Sequence, residues 1–320
     1  MILQLLHTVG YLTLLAGVGY AVFRHPWMQH HLFPKYLVLI LSILFPFYFV
    51  VRVPTGWASA TALGWPLLVT LFLLCLVMMG VQGWLGQTIS RRRWARVSHP
   101  TSYVLIAALH NAGFVPLPIL ERLAPEGVLL GMFFYLLAFN LAFWGLAVPI
   151  IETGHLELRR VRFRLNPPVV GMGIGCLVAI SGAHRLVPTP VLDWGLRIGE
   201  LALDGALVAL GGALAGIREP MRFRREHWIF AGWRMVLYPA AVLLLVALPW
   251  PGLNGPLGWG LRMMMVLQAA TPPATQTLVV TRAMGSATQL HYTSGMLLFS
   301  YLASLVTIPT FVGLAVVWFA

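Results

Sequence analysis

Two clusters of polar residues, interrupted by proline and glycine, stand inside apolar runs of this chain. The first, at 110–118, contains His110, Asn111, Gly113, Pro116 and Pro118. The second, at 268–276, contains Gln268, Thr271, Pro272, Pro273, Thr275 and Gln276. Proline removes a backbone N–H and clashes with the preceding helical turn, so each cluster predicts a broken helix. The half-helix after such a break presents partial positive charge and free N–H groups, which suit an anion. We therefore take these residues as a candidate substrate site.

Ionisable residues inside apolar runs are a second group of candidates, because each is costly there unless it is paired or functional. Asp204 and Glu200 are four residues apart within one run and are candidates for coupling. Asp204 either binds a coupling proton or pairs with a neighbour such as Arg234. His110 is either a neutral, hydrogen-bonded side chain or a group that titrates beside the substrate. Coupling to H⁺ or Na⁺ therefore stays open at this point.

Enzymatic and metal chemistry find no matching pattern in the sequence. No HExxH, GxSxG or paired catalytic acids occur in the apolar runs, so we do not expect an enzyme. His25, His30 and His31 lie together without cysteine or acidic residues, and a basic loop at the lipid headgroups explains them. We expect no metal site and no cofactor.

The composition indicates where these clusters lie. Of the 320 residues 59% are hydrophobic and 9% charged, whereas soluble domains are nearer half apolar and a quarter charged. So little charge cannot cover a soluble surface, which excludes a water-soluble enzyme. The net charge of +12 comes from arginine clusters between apolar runs, so orientation in the bilayer explains it and no nucleic-acid partner is expected.

A helix of about 20 apolar residues crosses a bilayer, and the chain has room for ten such helices. We predict an all-α polytopic membrane protein with spans near 1–23, 33–51, 61–85, 101–121, 127–151, 166–183, 190–217, 228–248, 257–281 and 290–319.

The connections between these spans alternate sharply in charge. Those after the odd-numbered spans hold fifteen of the 21 cations, and the others hold only Arg52, Arg122 and Arg185. The positive-inside rule places the cation-rich side in the cytoplasm and both termini outside. Lys35 is the only lysine, and this bias toward arginine suggests a GC-rich bacterial genome. We therefore expect a multi-pass protein of the plasma membrane, in bacteria the inner membrane.

The loop at 152–165 divides the spans into five and five. An odd number of spans per half gives the halves opposite orientations, as in inverted-repeat transporters. We predict a first repeat at 1–151, a cytoplasmic linker at 152–165 and a second repeat at 166–320. Both predicted breaks fall in the fourth span of their repeat, where such carriers bind their substrate near the bilayer midplane.

Five segments in this order resemble the auxin efflux carrier family, which includes the plant PIN-FORMED carriers and bacterial malonate or malate permeases. They are HNAGFVPLPIL, NPPVVGMGIG, ALVALGGALAG, AATPPATQTLVVTRAMG and LLFSYLASLVTIPTFVGL. The resemblance covers nearly the whole chain. This sequence has His110 and Pro116 where family members usually have glycine.

The resemblance implies a fold similar to sodium/bile-acid symporters and NhaA, with crossing broken helices in spans four and nine. It implies a scaffold of spans 1, 2, 6 and 7, a moving transport unit of spans 3–5 and 8–10, and a homodimer. It also implies export of small organic carboxylates. The expected function is secondary transport of these anions by an elevator-type alternating-access mechanism, and the alternative is a membrane ligand sensor without net transport.

Overall fold

The computed structural model describes residues 2–61, 64–153, 165–217, 223–249 and 255–319. These residues form helices joined by short connections. Six helices are long and apolar enough to cross a membrane: Phe33–Trp57, Trp65–Ser90, Gly127–Thr153, Thr189–Ala215, Arg225–Ala247 and Ala287–Phe319. The chain is thus a helical protein with several membrane-spanning segments. Of the predicted linker, residues 154–164 lie outside the described residues.

Most helices of the first half lie within the predicted apolar runs, and two extend well beyond their predicted ends. The helices of this half are α1 (Ile2–Phe23), α2 (Pro26–His31), α3 (Phe33–Leu39), α4 (Phe45–Thr61), α5 (Trp65–Ser90), α6 (Pro100–Ala108), α7 (Pro116–Leu123), α8 (Glu126–Ala142) and α9 (Val148–Thr153). The second span was expected to end near residue 51, before Arg52. It continues because Arg52 Nε lies 3.1 Å from Glu121 Oε1 of α7, so this charge is paired and does not end the helix.

The second half of the chain also consists of helices. They are α10 (Pro167–Ser181), α11 (Thr189–Ala215), α12 (Arg225–Phe230), α13 (Tyr238–Ala247), α14 (Gly255–Ala270), α15 (Thr275–Met284) and α16 (Ala287–Phe319). Three π-helical segments join neighbouring helices into longer ones: Ile40–Leu44 between α3 and α4, Phe143–Ala147 between α8 and α9, and Ala231–Leu237 between α12 and α13. Such wide turns are often found at functional sites, and the third carries Arg234.

One group of helices packs through small residues. Helix α1 lies along α11, and α4 lies along α10. A Cβ atom on Gly211 of α11 would collide with the Ala16 carbonyl, and one on Gly171 of α10 would collide with Pro46. Small residues let membrane helices approach this closely. Helices α1, α4, α10 and α11 therefore form one tightly packed group.

The other helices pack around the two predicted breaks. Helix α5 packs against α6 and α8, while α14 packs against α13 and α16. The broken helices α6–α7 and α14–α15 are enclosed by these neighbours, and most of their side chains are buried. This burial is what an interrupted backbone requires at membrane depth.

Candidate functional site

Both predicted helix breaks are present. Helix α6 ends at Ala108 and α7 begins at Pro116, and α14 ends at Ala270 while α15 begins at Thr275. Pro272 and Pro273 lie inside the second gap, as expected. Pro116 does not interrupt a helix but is the first residue of α7, where a missing N–H costs nothing. Pro118 is buried in the first turn of the same helix.

The two broken segments pair with each other. The Asn111 N–H donates to the Pro272 carbonyl at 2.7 Å, and the Ala274 N–H donates to the Leu109 carbonyl at 2.7 Å. The two bonds flank an antiparallel bridge between His110 and Pro273. The breaks thereby satisfy part of each other's exposed backbone. We call this pairing the crossover.

Asn111 links three parts of the crossover. Its Nδ2 donates to Tyr301 Oη of α16 at 2.7 Å, and its Oδ1 accepts from the Phe114 N–H at 2.9 Å. The Tyr301 hydroxyl in turn donates to the Pro273 carbonyl at 3.1 Å. Asn111 therefore joins α16 to both breaks in addition to facing a cavity.

His110 is fully buried and points toward α8. Its Nε2 lies 2.7 Å from Tyr135 Oη, and its ring packs against Phe139. Its Nδ1 makes no hydrogen bond within the described residues. His110 is therefore held in the protein interior by α8.

Gln268 and Thr271 support the end of α14. Gln268 Nε2 donates to the Ala112 carbonyl at 3.2 Å, which ties the second broken helix to the first break. Thr271 Oγ1 donates to the Gln268 carbonyl at 2.8 Å, so this hydroxyl stabilises its own helix end. Both side chains are completely buried.

A cavity of about 40 Å³ lies beside the crossover, and we call it the crossover cavity. The candidate residues that line it are Asn111, Gly113, Thr275 and Gln276. The Thr275 hydroxyl and Gln276 Oε1 are buried there and make no hydrogen bond within the described residues. Helix α15 has no side-chain N-cap, so the N–H groups of Thr275 and Gln276 lack that partner. At the start of α7, Pro116 and Pro118 have no N–H, and the Leu117 N–H donates to the Gly113 carbonyl at 3.0 Å.

A larger cavity of about 370 Å³ adjoins the crossover cavity. The two share Phe114, Pro168, Thr275 and Gln276 in their linings, and the larger one reaches Asn166 at the start of α10. Asn166 Nδ2 donates to Oδ1 of Asn140, which also lines the crossover cavity, at 2.7 Å. The larger cavity therefore extends from the crossover cavity to the start of α10.

Sequence reasoning missed Asn140, Asn166 and Tyr301 as residues of this region. Asn140 is a lone amide within an apolar run, which is a signal in itself. Asn166 precedes two prolines at a helix start, and its Oδ1 caps α10 by accepting from the Val169 N–H at 2.9 Å. Tyr301 has no local signal, because its partner Asn111 lies 190 residues away in the chain.

The two coupling candidates lie apart from the crossover cavity. Asp204 Oδ2 accepts from Tyr11 Oη at 2.8 Å, and Arg122 stacks on the Tyr11 ring at 4.1 Å from its centroid. Glu200 is exposed on α11. Neither carboxylate is among the described residues that line the cavity. The suggested pairing of Asp204 with Arg234 is wrong, because Arg234 contacts the crossover instead.

The fold and the crossover thus define a helical membrane protein with two paired, broken helices beside a small cavity that is lined by both polar and apolar side chains. No group of three or more His, Cys, Asp or Glu side chains suited to a metal occurs in the described part of the chain. Comparison of the sequence with models of known families and with curated proteins finds no match.

Proposed function

We propose that this chain is a secondary active transporter that exports small organic anions, above all carboxylates. The observation that carries the proposal is the crossover, where two broken helices pair and the uncapped N-terminus of α15 borders a cavity with several polar side chains in its lining. Interrupted helices at corresponding positions of two halves are typical of substrate sites in secondary transporters.

The proposed topology has ten spans in two inverted repeats. The six long apolar helices supply six spans, α1 and α10 supply two shorter ones, and the broken helices supply the fourth and the ninth. The repeats are 1–151 and 166–320, and both termini lie outside the cytoplasm. This topology, together with the motif order, supports membership of the auxin efflux carrier family.

The anion preference rests on the chemistry of the crossover cavity. Helix N-termini favour negative charge because their N–H groups and dipoles point at the ligand. Helix α15 begins at this cavity without a side-chain cap, and the side-chain amides of Asn111 and Gln276 add polar groups. The described residues that line the cavity include no carboxylate, which would repel an anion.

The proposed movement follows from the packing. Helices α1, α4, α10 and α11 form the scaffold, and spans 3–5 and 8–10 carry the crossover past it in an elevator-type step. The larger cavity reaches Asn166, which follows the proposed cytoplasmic linker in the chain, so we propose that the site in this state faces the cytoplasm. Export requires such a state to load the substrate.

We also propose a homodimer through α4 and α11. Glu200 lies eleven residues into α11, about 16 Å along the helix, and is exposed. A charged side chain that faces lipid at this depth is costly. Trp194, Ile198 and Leu201 form an exposed apolar face of the same helix, about 100° or more around it from Glu200. A second copy would cover this apolar face.

Cysteine cross-linking tests the dimer. Ile198→Cys should form a cross-linked dimer in membranes, whereas Val306→Cys on the moving helix α16 should not, although both positions are exposed. The unsubstituted chain is the control for cross-linking through its own cysteines, Cys75 and Cys176. Cross-linking through residue 306 alone would place the interface on the transport unit and contradict the assignment of scaffold and moving parts.

Flux measurements test the transport itself. The purified chain is reconstituted in liposomes with labelled malonate or malate, and proton and sodium gradients are imposed separately. We expect saturable flux, and one of the two ion gradients should drive it against the concentration gradient of the substrate. Binding without any flux would instead support the alternative, a membrane sensor, and neither binding nor flux for a range of carboxylates would overturn the proposal.

A further inference from the structure

Arg234 is a fully buried cation at the crossover. It has no exposed surface and lies in the π-helical segment Ala231–Leu237. Its Nη1 donates to the Ala269 carbonyl at 2.7 Å, and its Nε donates to the Ala107 carbonyl at 3.3 Å. No carboxylate forms an ion pair with Arg234 within the described part of the chain. The partners of this charge are two backbone carbonyls and the Tyr238 ring, whose centroid lies 5.4 Å from Arg234 Cζ.

The two carbonyls belong to the C-terminal ends of the two half-helices that precede the breaks. Ala107 is the penultimate residue of α6, and Ala269 is the penultimate residue of α14. A helix C-terminus carries a partial charge of about −0.5, so two that converge carry about −1. One guanidinium balances that charge. The match explains how Arg234 stays buried without a carboxylate.

Converging helix ends and unwound carbonyls are also the groups that coordinate coupling cations in secondary transporters. In this chain several of these carbonyls already have donors: Leu109 from Ala274, Pro272 from Asn111, and Pro273 from Tyr301. The remaining negative potential at the ends of α6 and α14 is taken by Arg234. A free cation at this place would meet a fixed positive charge.

We propose that Arg234 is a built-in cation that replaces a bound coupling ion at the crossover. The inference rests on the proposed transport function, and it deepens it. Arg234 holds the two half-helices together permanently, so the crossover forms without sodium and its transport cycle does not require a sodium gradient. Arg234 is in this sense a positioning residue, since it acts on the substrate site through α6 and α14.

The charge matters more here than the shape of the guanidinium. Arg234 Nη2 is buried and makes no hydrogen bond within the described residues, so the fork geometry is only partly used. A lysine would keep the charge, whereas a methionine would keep much of the volume without it. These two variants separate an electrostatic role from a packing role.

Thermal unfolding of the purified chain tests the inference without any substrate. Arg234→Ala should lower the melting temperature, and millimolar guanidinium chloride should restore part of it, because the small cation re-occupies the space between the two carbonyls. Arg234→Lys should remain near wild type, and Arg234→Met should be destabilised and gain nothing from guanidinium. Arg262→Ala is the matched control, because Arg262 stacks on Phe319 of α16 at 5.5 Å and should show no rescue.

The wild-type chain supplies an independent readout even where Arg234→Ala does not fold. Sodium chloride should stabilise it no more than choline chloride, and labelled malonate flux should be equal with and without a sodium gradient. Specific stabilisation by sodium, sodium-driven flux, or an Arg234→Met variant that matches wild type in stability and flux would each overturn the inference. Absence of any carboxylate flux would count against the transport function alone, since the thermal measurements would still decide the role of Arg234.

Discussion

Helix ends lie on both sides of the crossover. Their partial charge is negative on one side and positive on the other, and the protein neutralises the two sides differently. On one side the C-terminal ends of α6 and α14 converge, and the protein fills their negative potential with the buried Arg234. On the other side α15 begins at a cavity without a side-chain cap, while α7 begins with Pro116 and Pro118, which have no N–H. The protein thus neutralises the two C-terminal ends itself and leaves the start of α15 to a ligand. An anion is the ligand whose charge completes this arrangement.

The largest expected effect comes from Asn111, because it joins the two sides. Asn111→Ala removes the hydrogen bonds to Tyr301 and to the Phe114 N–H, which leaves buried groups unsatisfied. We expect a loss of about 3 kcal/mol in the free energy of unfolding, since each buried partner left alone costs about 1–3 kcal/mol. Binding of a carboxylate should weaken about ten- to a hundredfold.

Calorimetry with malonate and thermal unfolding of purified variants measure both effects. Tyr301→Phe is the matched control, because it removes the partner of the amide while Asn111 stays in the cavity. It should lose stability with a smaller loss of binding. If Asn111→Ala bound malonate as tightly as wild type, the crossover would not be the substrate site. The contact with Tyr301 gives Asn111 a structural role in addition to its place in the cavity lining.

Two threonines allow a hydroxyl that faces the cavity to be compared with one that is already hydrogen-bonded within the protein. The Thr275 hydroxyl lies in the crossover cavity without a hydrogen bond in the described part of the chain, whereas Thr271 Oγ1 donates to the Gln268 carbonyl. Thr275→Val should therefore weaken carboxylate binding by up to about tenfold, as one hydrogen bond contributes about 1 kcal/mol. Stability should change little.

Thr271→Val is the isosteric counterpart and should give the reverse pattern. Its hydroxyl stabilises the end of α14, so melting temperature should fall while affinity for malonate is kept. Equal effects of the two substitutions on affinity would show that the cavity does not distinguish them, and would move the ligand away from the start of α15.

The sequence predicted the spans and the breaks because their signals are local. Apolar runs and charge clusters define the helices, and Pro272 and Pro273 with their polar neighbours define a gap. Contacts between residues that are distant in the chain could not be predicted in this way. Arg234 contacts Ala107, which is 127 residues away, and no periodicity in the sequence relates the two. Arg52 likewise suggested a helix end, and only its contact with Glu121 explains why α4 continues.

The smallest expected effect concerns Asp204, which lies outside the cavity and accepts a hydrogen bond from Tyr11. Asp204→Asn keeps an oxygen for the Tyr11 hydroxyl and removes the charge, so folding and malonate affinity should stay near wild type.

If Asp204 carries the coupling proton, flux in liposomes should lose its dependence on a proton gradient in this variant while downhill exchange persists. Tyr11→Phe is the control, since it breaks the same hydrogen bond but leaves the carboxylate able to bind a proton. Proton-driven flux that survives in Asp204→Asn would assign Asp204 to the contact between α1 and α11. Transport through the crossover cavity would then have to be coupled to protons through another group.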